Sequence, residues 1–361
     1  MKADFNTPEE FKSVYHLYLF RKILFVVGCI VVAMIAFGLE LSSGAYGLSF
    51  VESYEVLFDH LMGNTPADEI GVGKDMIVWD MRLPRALCGL AVGAALGVCG
   101  AAMQSSMKNP LADPYTTGIA SGASFGAALA IVMGFSLMSG AMRDTAVVIN
   151  AFIFSLVPAG LIILVSKFKR EVSPASMILI GISVMYFFTA ATTFMKLTAS
   201  EESLAEIYMW NVGTIGKAAW DNIGIMIAMS IIGIVLMMYF SKKLNILAIS
   251  DKDAVSFGVN AKQTRLITLA IVSLVTAAMV AFTGTIGFVG LVCPHVARLF
   301  LGSDNKYLIP ASAAFGAMLL LCADCVAKNI GSGLPVGTIT AVIGGPLFLY
   351  MLVKQAKKYS W

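Results

Sequence analysis

Long apolar runs, each followed by a short polar segment, succeed one another from Ile23 to Val353. Each run comes close to the roughly 20 apolar residues that an α-helix needs to cross a ~30 Å hydrocarbon layer. The predicted spans are Ile23–Leu41, Ala86–Met107, Thr116–Phe135, Thr145–Ser166, Met177–Met195, Asn222–Phe240, Leu266–Phe282, Ile286–Leu301, Leu308–Ala327 and Val336–Val353. The second is rich in Gly and Ala, which lets helix backbones approach closely. The eighth is short and carries Pro294, His295 and Arg298. Ahead of the first, Thr7-Pro8-Glu9-Glu10 reads as an N-cap, Pro at the first helical position and an acid in the first turn. Residues 8–21 are therefore expected to form a short surface helix that ends at Arg21-Lys22. The run from Ile23 is long enough to span and is followed by many more, so it is expected to be retained as a helix and not removed as a signal.

The pattern predicts an all-α integral membrane protein of about ten transmembrane helices. Its expected organisation is an interfacial N-terminal helix (1–22), a transmembrane domain (23–354) with a loop at 244–260, and a tail (355–361). Composition agrees: 58% of the 361 residues are hydrophobic and 13% charged, more apolar side chain than one soluble core could hide. With both termini cytoplasmic, only Lys74, Arg82, Arg85, Arg143, Lys196, Lys217 and Lys328 of the 25 Lys and Arg fall on outer segments. That is the asymmetry of a membrane protein so oriented. The net charge of +3 is small and no basic run is interleaved with aromatics, so no nucleic-acid partner is expected; the partner for most of the surface is lipid.

Chemistry-bearing motifs are few. The six cysteines all lie in apolar stretches, and Cys322-Ala-Asp-Cys325 sits deep in one, unlike an exposed redox pair. Gly213-Thr-Ile-Gly216-Lys217-Ala218 lacks both the spacing and the Ser/Thr of a phosphate-binding loop, so the chain is not expected to hydrolyse ATP. His16, His60 and His295 are scattered, and no metal set or nucleophile with its base is present in the pattern. Asp324 lies within the ninth span with Lys328 four residues on, a favourable helical spacing that predicts a structural pair near the outer surface.

Four stretches stand above composition. They are Arg82-Leu-Pro-Arg85 before the Gly/Ala-rich helix, Asn109-Pro-Leu-Ala-Asp113-Pro114, Gly287-Phe-Val-Gly-Leu-Val-Cys-Pro294-His295-Val-Ala-Arg298, and Leu334-Pro-Val-Gly337 with Gly344-Gly345-Pro346. In this order they resemble signatures of the FecCD family of permeases, over about Trp79 to Lys354. The resemblance implies the type II ABC importer permease fold. It also implies a permease subunit that moves a metal chelate inward by alternating access, driven by separate ATPase subunits. A ferric siderophore is the first expectation for cargo; heme, cobalamin or molybdate are alternatives served by the same machinery.

The resemblance also distributes roles. Arg82, Arg85 and Lys328 would dock acidic residues of an extracytoplasmic substrate-binding protein. Leu247, Ala248, Ser250, Asp251, Asp253, Ala254 and Gly258, in a loop of two short helices, would couple to the ATPase; Ser250 stands where the family commonly has Gly. Asn109, Leu111, Ser173, Pro174 and Ala175 would form the inner gate, with Val172 and Ser176 beside them, and Trp210 and Gly213 the outer one. The fifth and tenth spans, which carry no acidic or basic residue up to Val353, would line the path. Implied partners are a second permease copy, two ATP-binding subunits and the binding protein. The chain itself would bind no cofactor, ATP and magnesium belonging to the ATPase subunits. A different class, the ion-coupled secondary transporter, would need a relay of ionisable groups inside the membrane, and Asp324 alone is thin support for one.

Overall fold

The computed structural model describes residues 8–64, 66, 68–138, 140, 142–168, 173–330 and 333–359, and among them the protein is helical throughout, with no strand. In chain order the helices are α1 (Pro8–Ser42), α2 (Phe50–Leu61), α3 (Glu69–Met76), α4 (Leu83–Ser106) and α5 (Ile119–Met133). There follow α6 (Arg143–Phe168), α7 (Pro174–Leu197), α8 (Glu201–Val212), α9 (Trp220–Ile249) and α10 (Asp251–Ser256), then α11 (Ala261–Thr283), α12 (Val289–Leu301), α13 (Asn305–Asn329) and α14 (Val336–Tyr359). Among the described residues, seven helical stretches are long and apolar enough to cross a membrane, and three shorter apolar helices, α5, α12 and the apolar part of α14, fall at the other three predicted spans.

Helix α4 is the centre of the bundle and packs against α1, α9, α11, α12 and α13. Of the most apolar stretch of the helical run that contains it, 83% is buried inside the protein, against 22% for α7. A helix apolar on all sides and largely uncovered by its own chain faces lipid or another subunit, so α7 lies at the periphery and α4 does not. Glycine makes the central packing possible. A Cβ on Gly97 would run into the Ser312 carbonyl of α13, and one on Gly100 into the Gly290 carbonyl of α12.

Three expectations change. Arg21 and Lys22 do not end a surface helix, because α1 is continuous from Pro8 to Ser42. No helix breaker separates the two parts, and Lys22 is buried with its Nζ 3.7 Å from the Tyr307 ring centre of α13. Thr7, read as the N-cap, lies outside the described residues. At the other end α14 stays helical to Tyr359, into the segment expected as a tail. The third change is that the span predicted from Ala86 begins earlier: α3, a π-helical turn at Ile77–Arg82 and α4 form one unbroken helical run, with Arg82 and Arg85 inside it. The wider turn absorbs Pro84: the amide of Leu83 reaches back five residues to the Val78 carbonyl.

Between the first two spans lies α2, an amphipathic helix opened by a reciprocal cap between Ser49 and Glu52. Its last turn is fastened to the bundle through His60, whose Nδ1 is 2.8 Å from an Asp75 oxygen and whose ring stacks on Trp79 at 3.9 Å. Trp220, at the start of α9, donates its ring N–H to the Trp79 carbonyl at 3.1 Å.

Candidate functional site

Charged residues gather at the two ends of α4. At its N-terminal end, hereafter the Arg85 face, three elements meet: the end of α1, the start of α4 and the end of α13. Arg82 is only 6% exposed, and its Nη1 donates to the Leu41 and Ser42 carbonyls at 2.7 and 2.9 Å. Its Nη2 donates to the Tyr46 carbonyl at 2.5 Å, so the guanidinium caps the last turn of α1. Arg85 forks onto Asp324, Nε to Oδ2 at 2.7 Å and Nη2 to Oδ1 at 2.8 Å. Lys328 ion-pairs with Glu40 of α1, whose carboxylate is also 3.5 Å from Arg85 Nε. Two acids and two bases thus form a neutral quartet in which both carboxylates are fully buried.

This corrects the expected pairing of Asp324 with Lys328. Their helical spacing places them side by side, but the planar fork of Arg85 matches a carboxylate in two bonds while Lys328 reaches across to α1. Glu40 was missed by the sequence reading. The available signal was an acid inside a predicted span, which is rare without a function or a partner. Arg82, Arg85 and Lys328 do line one cavity of ≈ 940 Å³ together with exposed Lys217, as expected of neighbours. Each of the three, however, is also engaged within the chain, by the bonds and ion pairs above.

At the C-terminal end of α4, the Asp251 face, the segment 244–260 is not a loop of two short helices. Its first part is the last turns of α9, and only α10 is separate. Leu247 and Ala254 are fully buried and face the protein, so they offer no contact to a partner. The apolar side chains turned outward are Ile249, Val255 and Phe257, each more than two-thirds exposed beside exposed Ala248, Asp253 and Gly258. Ser250 has an extended backbone that requires no glycine, and its Oγ accepts the Asp253 amide at 3.0 Å as the N-cap of α10.

Asp251, the first residue of α10, joins this segment to the rest. Its Oδ2 accepts from Arg265 Nη1 at 2.8 Å and its Oδ1 from Arg265 Nη2 at 2.5 Å and Lys108 Nζ at 2.6 Å. These bonds, the Arg265 bond foremost, hold the Asp251 carboxyl well below the usual carboxylate range. Arg265 is 1% exposed, and its Nε donates to the carbonyl of Ser106, the last residue of α4, at 2.9 Å. Lys108 opens the segment expected as the inner gate. There Asn109 Oδ1 accepts the Leu111 amide at 2.9 Å in a tight turn, with Leu111 exposed. Farther along, Pro114–Thr117 forms one 3₁₀ turn, and Gly118 (φ 92°) packs it against α7 at Gly181. The second expected gate segment begins α7: Ser173 caps the helix by accepting the Ser176 amide at 3.1 Å, with Pro174 and Ala175 in the first turn. Val172 lies outside the described residues.

The FecCD transport family matches residues 30–354, nearly all of this arrangement. The chain belongs to the FecCD family. Among relatives, a protein of Methanocaldococcus jannaschii provisionally named as an ABC transporter permease is 38% identical over 95% of this chain and 98% of its own length. The hemin transport system permease of Yersinia pestis is 35% identical over 78% of this chain and 85% of its own. The Fe(3+)-citrate import permease of Bacillus subtilis is 33% identical over 92% and 95%. A solved structure described as an inward-facing conformation of a provisionally assigned metal-chelate type ABC transporter superposes with a TM-score of 0.78. It is 27% identical and covers 91% of this chain and 98% of that one.

The turn after α8 leads to Gly216 and Lys217 in the cavity of the Arg85 face. Trp210 and Gly213 close α8, and Gly213 adopts φ 78° where a Cβ would lie 2.5 Å from the Thr285 carbonyl. Three bonds fasten this turn: the Thr214 amide to the Thr283 carbonyl at 2.7 Å, the Thr285 hydroxyl to the Asn211 carbonyl at 2.5 Å, and the Gly337 amide to the Gly213 carbonyl at 3.1 Å. The segment expected as an outer gate is therefore linked to the end of α11, to Thr285 just beyond it and to the start of α14.

Proposed function

We propose that the chain is the permease subunit of an ATP-driven importer that carries a metal chelate inward, with a ferric siderophore as first expectation. The observation that carries this reading is the family match over residues 30–354 combined with the surface at α10. Ile249, Val255 and Phe257 form an apolar patch among Asp253, Lys252 and Gly258 at the end of the bundle, the character of a protein-docking surface. The Asp251 face would be cytoplasmic and would seat an ATPase subunit there. Both termini would then be cytoplasmic in the cell membrane.

The Arg85 face would be extracytoplasmic, with its cavity receiving acidic residues of a binding protein. Lys217 and the exposed fringe of Arg85 would supply the attraction, while Arg82 and Lys328 shape the rim. The peripheral aromatic residues Tyr186, Phe187 and Phe194 of α7 would face the second permease copy and the transport path. An apolar wall offers a passing chelate little to hold, which suits alternating access through a low-affinity passage.

The test is uptake into proteoliposomes holding the chain, its ATPase subunit and its binding protein, with ferric hydroxamate, ferric citrate, hemin and cobalamin as cargo. ATP-dependent accumulation of one of them is expected, with none under ADP. Uptake driven by a proton or sodium gradient in the absence of the ATPase subunit would replace this reading with that of a secondary transporter.

A further inference from the structure

We propose that Asp251 is the transmission residue of this permease, carrying displacement of α10 into the gate turn Asn109–Leu111 through Lys108 and through Arg265. The inference rests on the importer reading above and adds the link between its two moving parts.

Four observations converge on it. First, Asp251 is the leading residue of α10, and Ser250 and Asp253 close a rigid cap around it, with their side-chain oxygens 2.6 Å apart. A push on Val255 or Phe257 therefore moves the Asp251 carboxylate with the helix. Second, both carboxylate oxygens are already taken, by Arg265 and Lys108, so movement has defined receivers. Third, Arg265 is a buried planar lever. Two of its nitrogens hold Asp251 and the third holds the Ser106 carbonyl, and a guanidinium cannot bend between them.

The fourth observation concerns Lys108. It sits at φ 51°, the left-handed position just past the end of α4 where the chain reverses. Its amide bonds to the Ser105 carbonyl at 3.4 Å and the next amide, Asn109, to the Gln104 carbonyl at 3.1 Å. That arrangement is a helix terminator in which glycine is the favoured residue, because any Cβ is strained there. A lysine at this place keeps the strain and gains a long side chain, and that side chain is the one that meets Asp251. The next three residues form the tight gate turn, in which the Ala112 amide bonds to the Asn109 carbonyl at 3.0 Å and Asn109 Oδ1 holds the Leu111 amide. Displacement of Ser106 and Lys108 thus reaches Leu111 through two residues of constrained backbone.

The experiment uses the complete transporter in proteoliposomes, with a spin label on a Leu111→Cys variant as gate reporter. Cargo is the one of ferric hydroxamate, ferric citrate, hemin or cobalamin that the parent protein accumulates. Cargo moved per ATP hydrolysed should fall at least fivefold in Asp251→Asn and two- to threefold in Lys108→Gln, and should return in part in Asp251→Glu. The label should report an ATP-dependent change in the parent and little in Asp251→Asn. An unchanged ratio and label response in Asp251→Asn would overturn the proposal. So would a parallel fall of transport and ATP hydrolysis at constant ratio, which would make Asp251 a docking residue. The label is read without cargo, so a parent protein that moves no chelate yet shows the response would remove the importer reading and leave the transmission step standing.

Discussion

The two ends of α4 carry charge in contrasting ways. At the Arg85 face, Glu40 and Asp324 have fully buried side chains, Lys328 is 9% exposed, and the four charges cancel. At the Asp251 face, Arg265 is buried but the carboxylate it holds is 47% exposed. The first group joins α1, α4 and α13, three helices whose relation it fixes. The second joins α4, α11 and the short α10, one of which is a surface element with an exposed apolar side. Roughly 32 Å of helix separates Arg85 from Ser106 at 1.5 Å per residue, so α4 is a strut with a locked end and a workable end. A buried pair resists change because either partner alone is costly in low dielectric, whereas a half-exposed pair can be strengthened or loosened by what covers it.

The largest effect that would break this contrast is expected from Asp324→Ala. It leaves the Arg85 charge buried with only Glu40 at 3.5 Å to share with Lys328. Removing one partner of such a pair costs about 3–5 kcal/mol, and thermal unfolding in detergent should show a large fall in midpoint or loss of monodisperse protein. A loss as small as that of a surface pair would mean that the two ends are alike. The charge reversals Arg85→Glu and Lys328→Glu should behave in the same way, as failures of assembly more than of docking.

Next in size, Gly97→Val would separate the strut from α13 by driving side-chain atoms into the Ser312 backbone, an overpacking cost of about 1–3 kcal/mol. The same thermal assay reads it, and an unchanged midpoint would show that α13 yields easily. Asp251→Asn should cost less, about 0.2–1 kcal/mol after screening by water, even though its effect on transport per ATP is expected to be large. A stability loss matching that of Asp324→Ala would make the Asp251 group a second lock.

The smallest expected effect is that of pH on the Asp251 group. Its carboxyl is depressed, chiefly by the Arg265 bonds, so its stabilising contribution is present above the unfolded carboxylate value of about 3.9 and is lost as pH falls through the lower folded value. The mobility of a Leu111 label should therefore be flat from about pH 8 to pH 5 and rise only below the ordinary carboxylate range. A change centred near neutrality would assign control of the gate turn to some other group.

Much of the bundle could be read from residue order. The run Leu308–Ala327 announced α13, and Met177–Met195 announced α7, because in lipid an apolar stretch must satisfy its own backbone and does so as a helix. What failed were places where a residue's role depends on something distant in the chain. Arg21-Lys22 looked like a helix end until Tyr307 supplied a ring for Lys22. Leu247 looked like part of a docking loop until α9 ran on through it and turned its side chain into the protein.

The sequence by itself determined the class of the protein, the apolar helices of its bundle and the family motifs in their order. These follow from local hydropathy, cap residues and short signatures, none of which needs a long-range contact. Only the tertiary structure decided which charges meet. Asp324 could have paired with Lys328 within α13, yet Arg85 lies 239 residues away in sequence and takes it in two bonds. Likewise Lys108 finds Asp251 across 143 residues. The physical reason is that an ion pair is chosen by distance, burial and geometry in three dimensions, and a bidentate, desolvated partner prevails over a neighbour in the chain.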